Sequence, residues 1–284
     1  MKLIKNFILL FAAIIVFEFT FVKDANAACA KTGDVYDVVT DFCEAQPDEY
    51  EITIFNLYLC TSSPTIPTTT SAVDLTSGGC EQIFDNSSGA TAAVTQGSEL
   101  NLTGTYTRPP NNTYTHGYAM MDNTFGITAS IQIDGSMDGQ ASGSGVYCGT
   151  VAGSGSHTKA SGSHTNESIC SSTEITAGKY TETLTHFGGS GDAWTRIAEA
   201  DNINGTTASI KGILVDTNGH LAANEGEVDK LEGLVSFANA INVTSDTTSL
   251  TMSFNLGEGM SLNSAGSDKI YIGSGPFQAI MNAN

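Results

Sequence analysis

The amino-acid sequence predicts a mainly β protein: a disulfide-stapled antiparallel β-sandwich with one or two short helices. Three observations lead to this fold class. Several segments, residues 125–133 among them, alternate apolar and polar residues with the two-residue period of a half-buried strand. Ser, Thr, Gly and Asn fill most polar positions, and these residues suit strands and tight turns. Six cysteines in a chain with few charges indicate that covalent links support the fold.

The first 27 residues have the features of a secretory signal peptide. Lys2 and Lys5 precede an apolar run over residues 7–22, and Ala25-Asn26-Ala27 offers the small-x-small cleavage pattern. Because Glu18 interrupts the run, an uncleaved anchor is the alternative. We therefore expect a mature chain that begins at Ala28 and is secreted, extracellular, at the cell surface or periplasmic. No later run is long enough to span a bilayer, so no transmembrane segment is expected after cleavage.

All six cysteines lie in the predicted mature chain, where an oxidising compartment favours pairing. We predict sequential pairing, which closes three short loops that each stabilise the fold by about 3 kcal/mol in the chain-entropy model. Other connectivities stay open. Zinc is the rival interpretation, but no C-x-x-C pair occurs. The predicted pairs are Cys29 with Cys43, Cys60 with Cys80 and Cys148 with Cys170.

Residues 28–48 are expected to form an N-terminal helical segment tied by its disulfide. Within it, Val35, Val38, Val39 and Phe42 have the spacing of an amphipathic helix. Residues 49–138 follow as a β-sandwich lobe, which starts with a central strand over residues 50–60 that is apolar on both faces. Strict alternation puts one set of its side chains on one face and a second set on the other: Ile52, Ile54 and Tyr58 against Phe55, Leu57 and Leu59.

The rest of the chain continues the β pattern after a break. The stretch 61–70 carries two prolines and is predicted to be a surface loop. Residues 139–172 are rich in Gly and Ser and form a predicted excursion tied by Cys148 and Cys170. Residues 173–284 make a second β lobe, either separate or continuous with 49–138. Within this lobe, residues 227–240 keep helical spacing, although their Val and Phe, with Ile241 directly after them, leave a strand open.

Part of the first lobe resembles secreted bacterial β-sandwiches of the transthyretin-like (prealbumin-like) kind. The motifs are Tyr50-Glu51-Ile52-Thr53-Ile54, Gly104-Thr105-Tyr106 and the strand region that runs from Thr113-Tyr114 to Ile127. The resemblance covers roughly residues 50–134. It implies an architecture and no active site.

The charge balance excludes one class of partner. Without residues 1–27, which hold three Lys, one Glu and one Asp, the chain has 8 basic and 28 acidic side chains. Such a chain is repelled by phosphate backbones, so we expect no nucleic-acid partner. Cations, neutral surfaces and glycans stay open as partners.

Two acidic segments are candidate calcium sites. Asp134, Ser136 and Asp138 have the oxygen spacing that starts a calcium loop, but Gly145 stands where the bidentate Glu belongs, so a hairpin turn is preferred. Calcium is the one cofactor that the sequence suggests. The second segment supplies Asp216, Asn218 and Glu225, with Glu227 and Asp229 nearby.

Aromatic and histidine side chains offer further candidates. Trp194 lies after a Gly-rich stretch, and an exposed ring there, like Tyr114 or Tyr118, could stack on a sugar; burial in the core is the commoner case. His157 and His164 occur in a near repeat, where solvent-exposed loop residues are preferred over a metal pair.

The expected function is a secreted or cell-surface structural or adhesive protein, a non-catalytic subunit of a surface layer or fibre. It would contact itself or other surface proteins, with residues 269–284 as a strand that pairs between copies. The alternative is an extracellular carbohydrate- or calcium-binding module, and a secreted hydrolase is third. No G-x-S-x-G or Walker motif occurs, so no catalytic residue is assigned and the interpretation leans away from an enzyme.

Overall fold

A computed structural model describes residues 28–37, 43–157, 168–187, 194–264 and 268–284. Within these ranges the chain forms twenty strands and two 3-10 turns, Ile203–Gly205 and Glu225–Glu227. The predicted mainly β class is confirmed. The strands are β1 (Lys31–Thr32), β2 (Val35–Tyr36), β3 (Cys43–Ala45), β4 (Glu49–Cys60), β5 (Cys80–Val94), β6 (Thr105–Tyr106), β7 (Asn112–Asp122), β8 (Thr124–Thr128), β9 (Ser130–Gly139), β10 (Ser144–Thr150), β11 (Gly153–His157), β12 (Ser168–Ser171), β13 (Tyr180–Leu184), β14 (Ile197–Asp201), β15 (Ser209–Val215), β16 (Lys230–Val243), β17 (Leu250–Asn255), β18 (Met260–Asn263), β19 (Lys269–Ser274) and β20 (Gln278–Ala283).

The largest sheet has ten strands and is organised around β4. This strand pairs antiparallel with β5, with β7 and, through its first residues, with β8. On the other side of β7 follow β16, β15 and β14, while β13 and β11 continue from β8. Long strands with neighbours on both edges form hydrogen bonds with nearly all of their backbone N–H and C=O groups. The central strands β4, β7 and β16 can therefore be buried.

An eight-stranded sheet is built around β9, and a separate hairpin-like sheet consists of β17 and β20. The two-stranded sheet lies over one face of the largest sheet. Buried residues of both layers form the main core, in which the Phe277 ring centroid is 5.3 Å from that of Tyr50 and 5.4 Å from that of Phe254. The opposite face of the largest sheet carries a smaller core with Cys60, Tyr118 and Leu234. The loop between Cys60 and Cys80 packs on this smaller core through Ile66, Val73 and Leu75.

A bulge in β4 corrects the predicted faces of that strand. The register shifts between Ile54 and Asn56 in its pairing with both β5 and β7. Because one extra residue reverses the alternation, Leu57 and Leu59 share the main core with Ile52 and Ile54, and Tyr58 turns to the opposite face. Strict alternation was therefore right before the bulge and wrong after it.

The sequential disulfide pairing is confirmed. The bonds are Cys29–Cys43, Cys60–Cys80 and Cys148–Cys170. Two of them join directly opposed residues of neighbouring strands: Cys60 faces Cys80 across β4 and β5, and Cys148 faces Cys170 across β10 and β12. Strand pairing thus places the sulfur atoms together, and the bonds close loops that have little apolar content of their own.

The helix predicted over residues 227–240 is wrong. This segment belongs largely to β16, which pairs with β7 on one edge and β15 on the other. The neighbouring strands supply partners for its backbone, and Val, Phe and Ile fit a pleated surface better than a helix. The helix predicted between Cys29 and Cys43 lies partly outside the described residues, since 38–42 are not included, and its described part contains the strand Val35–Tyr36.

Strands from residues 49–138 and 173–284 belong to the same sheets. For example, β7 pairs with β16 and β8 pairs with β13 in the largest sheet, while β9 pairs with β19 in the eight-stranded one. Residues 1–27, the predicted signal segment, lie outside the described residues. In the part of the chain that the structure describes, no helix is long and apolar enough to cross a membrane.

The Cys60–Cys80 bond yields a stability prediction. Replacing both cysteines by serine should lower the free energy of unfolding by about 3 kcal/mol, because the unfolded chain gains the freedom of a loop of this length. Urea unfolding of the oxidised proteins measures the difference, and mass spectrometry verifies that the other two bonds are intact. A midpoint and slope equal to those of the unmodified protein would show that the bond does not stabilise the fold.

Candidate functional site

An apolar pocket lies between the largest sheet and the β17–β20 sheet. Its volume is about 300 Å³. Strands β4, β5 and β16 form one wall, β17 and β20 form the other, and the rim consists of the segments 100–108 and 247–249. The volume is within the range of small-molecule sites in proteins. The pocket is lined by Leu57, Ile83, Phe84, Leu100, Leu102, Tyr106, Thr107, Arg108, Val243, Thr247, Thr248, Ser249, Leu250, Met252 and Met281.

Three residues of the rim segment 100–108, Leu102, Gly104 and Tyr106, explain its conformation. Gly104 is required because a Cβ atom there would lie 2.4 Å from Cε2 of Phe84, so only glycine lets this ring reach the pocket wall. Tyr106 covers Phe84 with its ring centroid 5.2 Å away. The Tyr106 hydroxyl donates to the Leu102 carbonyl at 2.7 Å and accepts from the Leu102 N–H at 3.2 Å. These bonds hold Leu102 against the core although the Tyr106 side chain itself is 62 % exposed.

Arg108 is the only charged side chain among the described residues that line the pocket. Its Nη1 donates to the Pro109 carbonyl at 3.1 Å, and its Nη2 donates to Asn111 Oδ1 at 2.7 Å and to the Thr244 carbonyl at 2.6 Å. The last bond ties the 100–108 segment to the turn after β16. The guanidinium is therefore held in place by neutral acceptors, and its positive charge is not neutralised by them.

A second unusual group, Glu232, is buried in the smaller core of the largest sheet. Its side chain is fully buried on β16, and neither carboxylate oxygen has a hydrogen-bond partner of acceptable geometry. Burial raises the pKa of Glu232 from 4.5 to about 7, and the Tyr118 hydroxyl nearby opposes part of this rise. Burial and the Glu232 charge together raise the pKa of Tyr118 above its ordinary value. A carboxyl group in this position is easily protonated and can donate a proton.

Another buried acid, Glu182, joins the two largest sheets. Its Oε2 accepts a hydrogen bond of 2.8 Å from the Ser274 N–H, which links β13 to the end of β19. Burial, and secondarily the Glu182 charge, raise the pKa of Tyr50. The arrangement satisfies a backbone donor at a junction between sheets, so its role is structural.

The segment that begins at Asp134 forms part of a strand. It is neither the candidate calcium loop nor the hairpin turn that the sequence favoured. Asp134, Ser136 and Asp138 lie in β9 and alternate with buried residues along its exposed face. Side chains on one face of a strand project in roughly the same direction, so the oxygens of these three residues do not converge around one ion position. The turn between β9 and β10 comes after Gly139.

The second predicted calcium segment uses its oxygens for local hydrogen bonds. Asp216 Oδ1 accepts from the N–H groups of Asn218 and His220 at 2.8 and 2.9 Å, which holds the tight turn. Glu225 lies in the 3-10 turn that follows. Among the described residues, no three His, Cys, Asp or Glu side chains come together as a metal site.

The predicted stacking aromatics are in the core or pinned at its edge. Tyr114 and Tyr118 are buried, and the Tyr114 hydroxyl donates to the Pro110 carbonyl at 2.9 Å, so neither ring presents a face to a sugar. Trp194 is half-buried: its Nε1 donates to the Thr185 carbonyl at 2.9 Å, and Cζ of Arg196 lies 5.3 Å from its ring centroid. Of the predicted histidine pair, His164 lies outside the described residues.

Arg108 and Glu232 were not selected from the sequence. Arg108 is one of only two arginines in the chain and precedes Pro109-Pro110, a combination that marks a rigid turn but not a pocket. Glu232 interrupts an apolar segment from Leu231 to Val235, which is the signal that could have identified it. Neither signal shows what the side chain faces.

Comparison with known proteins found no matching family model, curated protein or solved structure. The resemblance of residues 50–134 to transthyretin-like sandwiches stays a prediction.

Glu232 gives a prediction about pH. Between pH 4.5 and about 7 the folded protein holds a proton that the unfolded chain releases, so stability falls as the pH rises through this window. Glu232→Gln removes the burial of a charge and should be more stable than the unmodified protein at pH 8 by about 3 kcal/mol, with little difference at pH 4.

Urea unfolding at the two pH values measures this effect. Glu81→Gln, which changes an exposed acid on β5, is the matched control and should leave the pH profile as it is. A Glu232→Gln profile parallel to that of the unmodified protein would show that the buried carboxyl does not titrate in this range.

Proposed function

We propose that this chain is a secreted, extracellular, non-catalytic protein that binds a small apolar molecule in the pocket beside β17 and β20. The observation that carries the proposal is the pocket itself: an apolar cavity of about 300 Å³ with a polar rim of Thr247, Thr248 and Ser249. Small-molecule sites commonly combine an apolar interior with a few polar groups at the entrance. Because Tyr114 and Tyr118 are buried and Asp216 accepts hydrogen bonds from its own turn, the apolar pocket supports an apolar ligand better than these residues support a glycan or calcium.

The disulfides support the location. Three disulfides are typical of an oxidising environment outside the cytoplasm, and they agree with the secretory pattern of residues 1–27. A binding protein outside the cell also benefits from a covalently supported framework, because the pocket walls belong to segments that are far apart in the chain.

Blocking the pocket tests the binding proposal. Leu250 faces the pocket, and Leu250→Trp should abolish binding of 1-decanol, an uncharged probe, because the indole fills the space that the alkyl chain needs. Binding is measured by NMR of protein labelled at the methionine methyl groups, with Met252 and Met281 as reporters inside the pocket.

Ser253→Trp is the matched control, since residues 251, 253 and 255 alternate with the core-facing residues of β17. This variant should bind 1-decanol like the unmodified protein. Methyl shifts confined to Met137 and Met260, which belong to the core of the eight-stranded sheet, would place the ligand elsewhere and contradict the proposal.

A second candidate function is the structural or adhesive one. Residues 269–284 are paired within their own chain, with β19 next to β18 and β9, and β20 next to β17. The specific observation in favour of assembly is the outer edge of β20, which is hydrogen-bonded to no further described strand and carries no charged residue. Ile280 on this strand is one of two large apolar side chains that the described residues leave exposed. Uncharged open edges favour pairing between copies.

Assembly through β20 predicts particles larger than a monomer in light scattering. Ile280→Lys should shift the protein to monomers, because it places a charge at each new edge-to-edge contact, whereas Ile280→Val should not. The same measurement with millimolar calcium detects any calcium-dependent assembly. A protein that is monomeric at all concentrations, or an Ile280→Lys variant that assembles normally, would contradict this second function.

A further inference from the structure

We propose that the ligand of this pocket is a single-chain aliphatic carboxylate, with its hydrocarbon chain between the two sheets and its carboxylate at Arg108. The inference rests on the proposed binding function and specifies the class of ligand. It depends on two features that meet at one place: the apolar interior and the single fixed cation at its rim.

The interior fits a flexible hydrocarbon chain. Nine of the lining residues are aliphatic, aromatic or methionine side chains that belong to the main core or pack against it, so a ligand that enters replaces water with apolar contacts. Met252 and Met281 come from the two strands of the small sheet. Methionine side chains adjust their shape easily, which suits a ligand with many rotatable bonds.

The geometry of Arg108 leaves part of its binding capacity for a ligand. A guanidinium has five N–H donors, and the three hydrogen bonds to Pro109, Asn111 and Thr244 use three of them. The Nε–H and one Nη1–H remain. Because the three acceptors are neutral, the positive charge also remains, and a carboxylate is the acceptor that gains most from it.

The charge balance of the chain bears on the state of Arg108. Acidic residues outnumber basic ones by 30 to 11, and Lys179, Lys211 and Lys230 each form an ion pair with a carboxylate. In the part of the chain that the structure describes, Arg108 forms no such pair. Its three neutral acceptors orient the guanidinium at the rim, and no carboxylate of the described residues neutralises its charge.

The net negative charge does not prevent an anion from binding here. Repulsion from distant carboxylates is screened over about 8 Å at physiological ionic strength, whereas the contact with Arg108 acts at hydrogen-bond distance. The net charge should slow the approach of an anion at low salt, and salt should reduce this effect.

Three probes with the same alkyl chain test the inference: decanoate, 1-decanol and decyltrimethylammonium, each below its critical micelle concentration. Binding is followed by the methyl signals of Met252 and Met281. Decanoate should bind at least about tenfold more tightly than 1-decanol, and the cation should bind most weakly, since charge-assisted hydrogen bonds form only with the carboxylate. Arg108→Gln should remove the preference for decanoate over 1-decanol, so that the ratio of the two dissociation constants approaches one.

The other arginine supplies the control. Arg196 donates to the Ala222 carbonyl and stacks on Trp194, away from the pocket lining, so Arg196→Gln should keep the preference for decanoate. Arg108→Lys retains the charge and should keep part of the preference, which separates the role of the charge from that of the bond to Thr244.

The outcomes distinguish the two proposals. If 1-decanol and decanoate bind equally well, or if Arg108→Gln weakens both to the same extent, the pocket binds apolar chains without recognising a carboxylate, and this inference fails while the proposed function stands. If none of the probes shifts the Met252 and Met281 signals, both fail. Selective loss of decanoate binding in Arg108→Gln alone supports the carboxylate ligand.

Discussion

The structure depends on the lateral hydrogen bonding of three long strands, β4, β7 and β16. β7 lies between the other two and pairs with both, and β4 and β16 each carry a further partner on their outer edge. Because the backbone of this trio is satisfied by its neighbours, both of its faces can be apolar and buried. One face receives the β17–β20 sheet and the other receives the loop that Cys60 and Cys80 close. The two cores, the pocket and the buried Glu232 all follow from this two-sided coverage.

The pocket and Glu232 lie on opposite faces of the largest sheet, and the two faces differ in their contents: an open apolar space on one and a buried acid on the other. On the main-core face, the segments 100–108 and 244–249 meet at the end of the small sheet, and the space between them stays open. On the opposite face, an ionisable group is enclosed among apolar side chains with Tyr118 as its polar neighbour. The first arrangement suits a ligand that brings its own apolar surface. The second encloses an acid whose pKa is raised by burial.

Much of the fold could be predicted from local patterns, and the failures have specific physical causes. The strand pattern of residues 125–133, which the structure forms as β8 and the start of β9, followed from alternation, because this feature depends on neighbours in the sequence. The sequential disulfides were the predicted choice among several connectivities, and the structure confirms them. The helix predicted for residues 227–240 failed because the apolar spacing there fits both periods, and the strand was selected by pairing with β15 and with β7, which lies more than 100 residues earlier in the chain. The faces of β4 were wrong beyond Ile54 because a bulge leaves no mark in composition.

The sequence by itself determined the mainly β class and the acidic character, since both rest on composition and short-range spacing. It favoured the sequential disulfide pairing, which the structure confirms, and it predicts a signal peptide over residues 1–27. The tertiary structure alone decided which side chains form a site. Asp134, Ser136 and Asp138 have the spacing that starts a calcium loop, but they lie along the exposed face of β9. Arg108 becomes notable only because its guanidinium donates to the Thr244 carbonyl at the rim of the pocket. A binding site is defined by distances between segments remote in sequence, and those distances exist only after the sheets have formed.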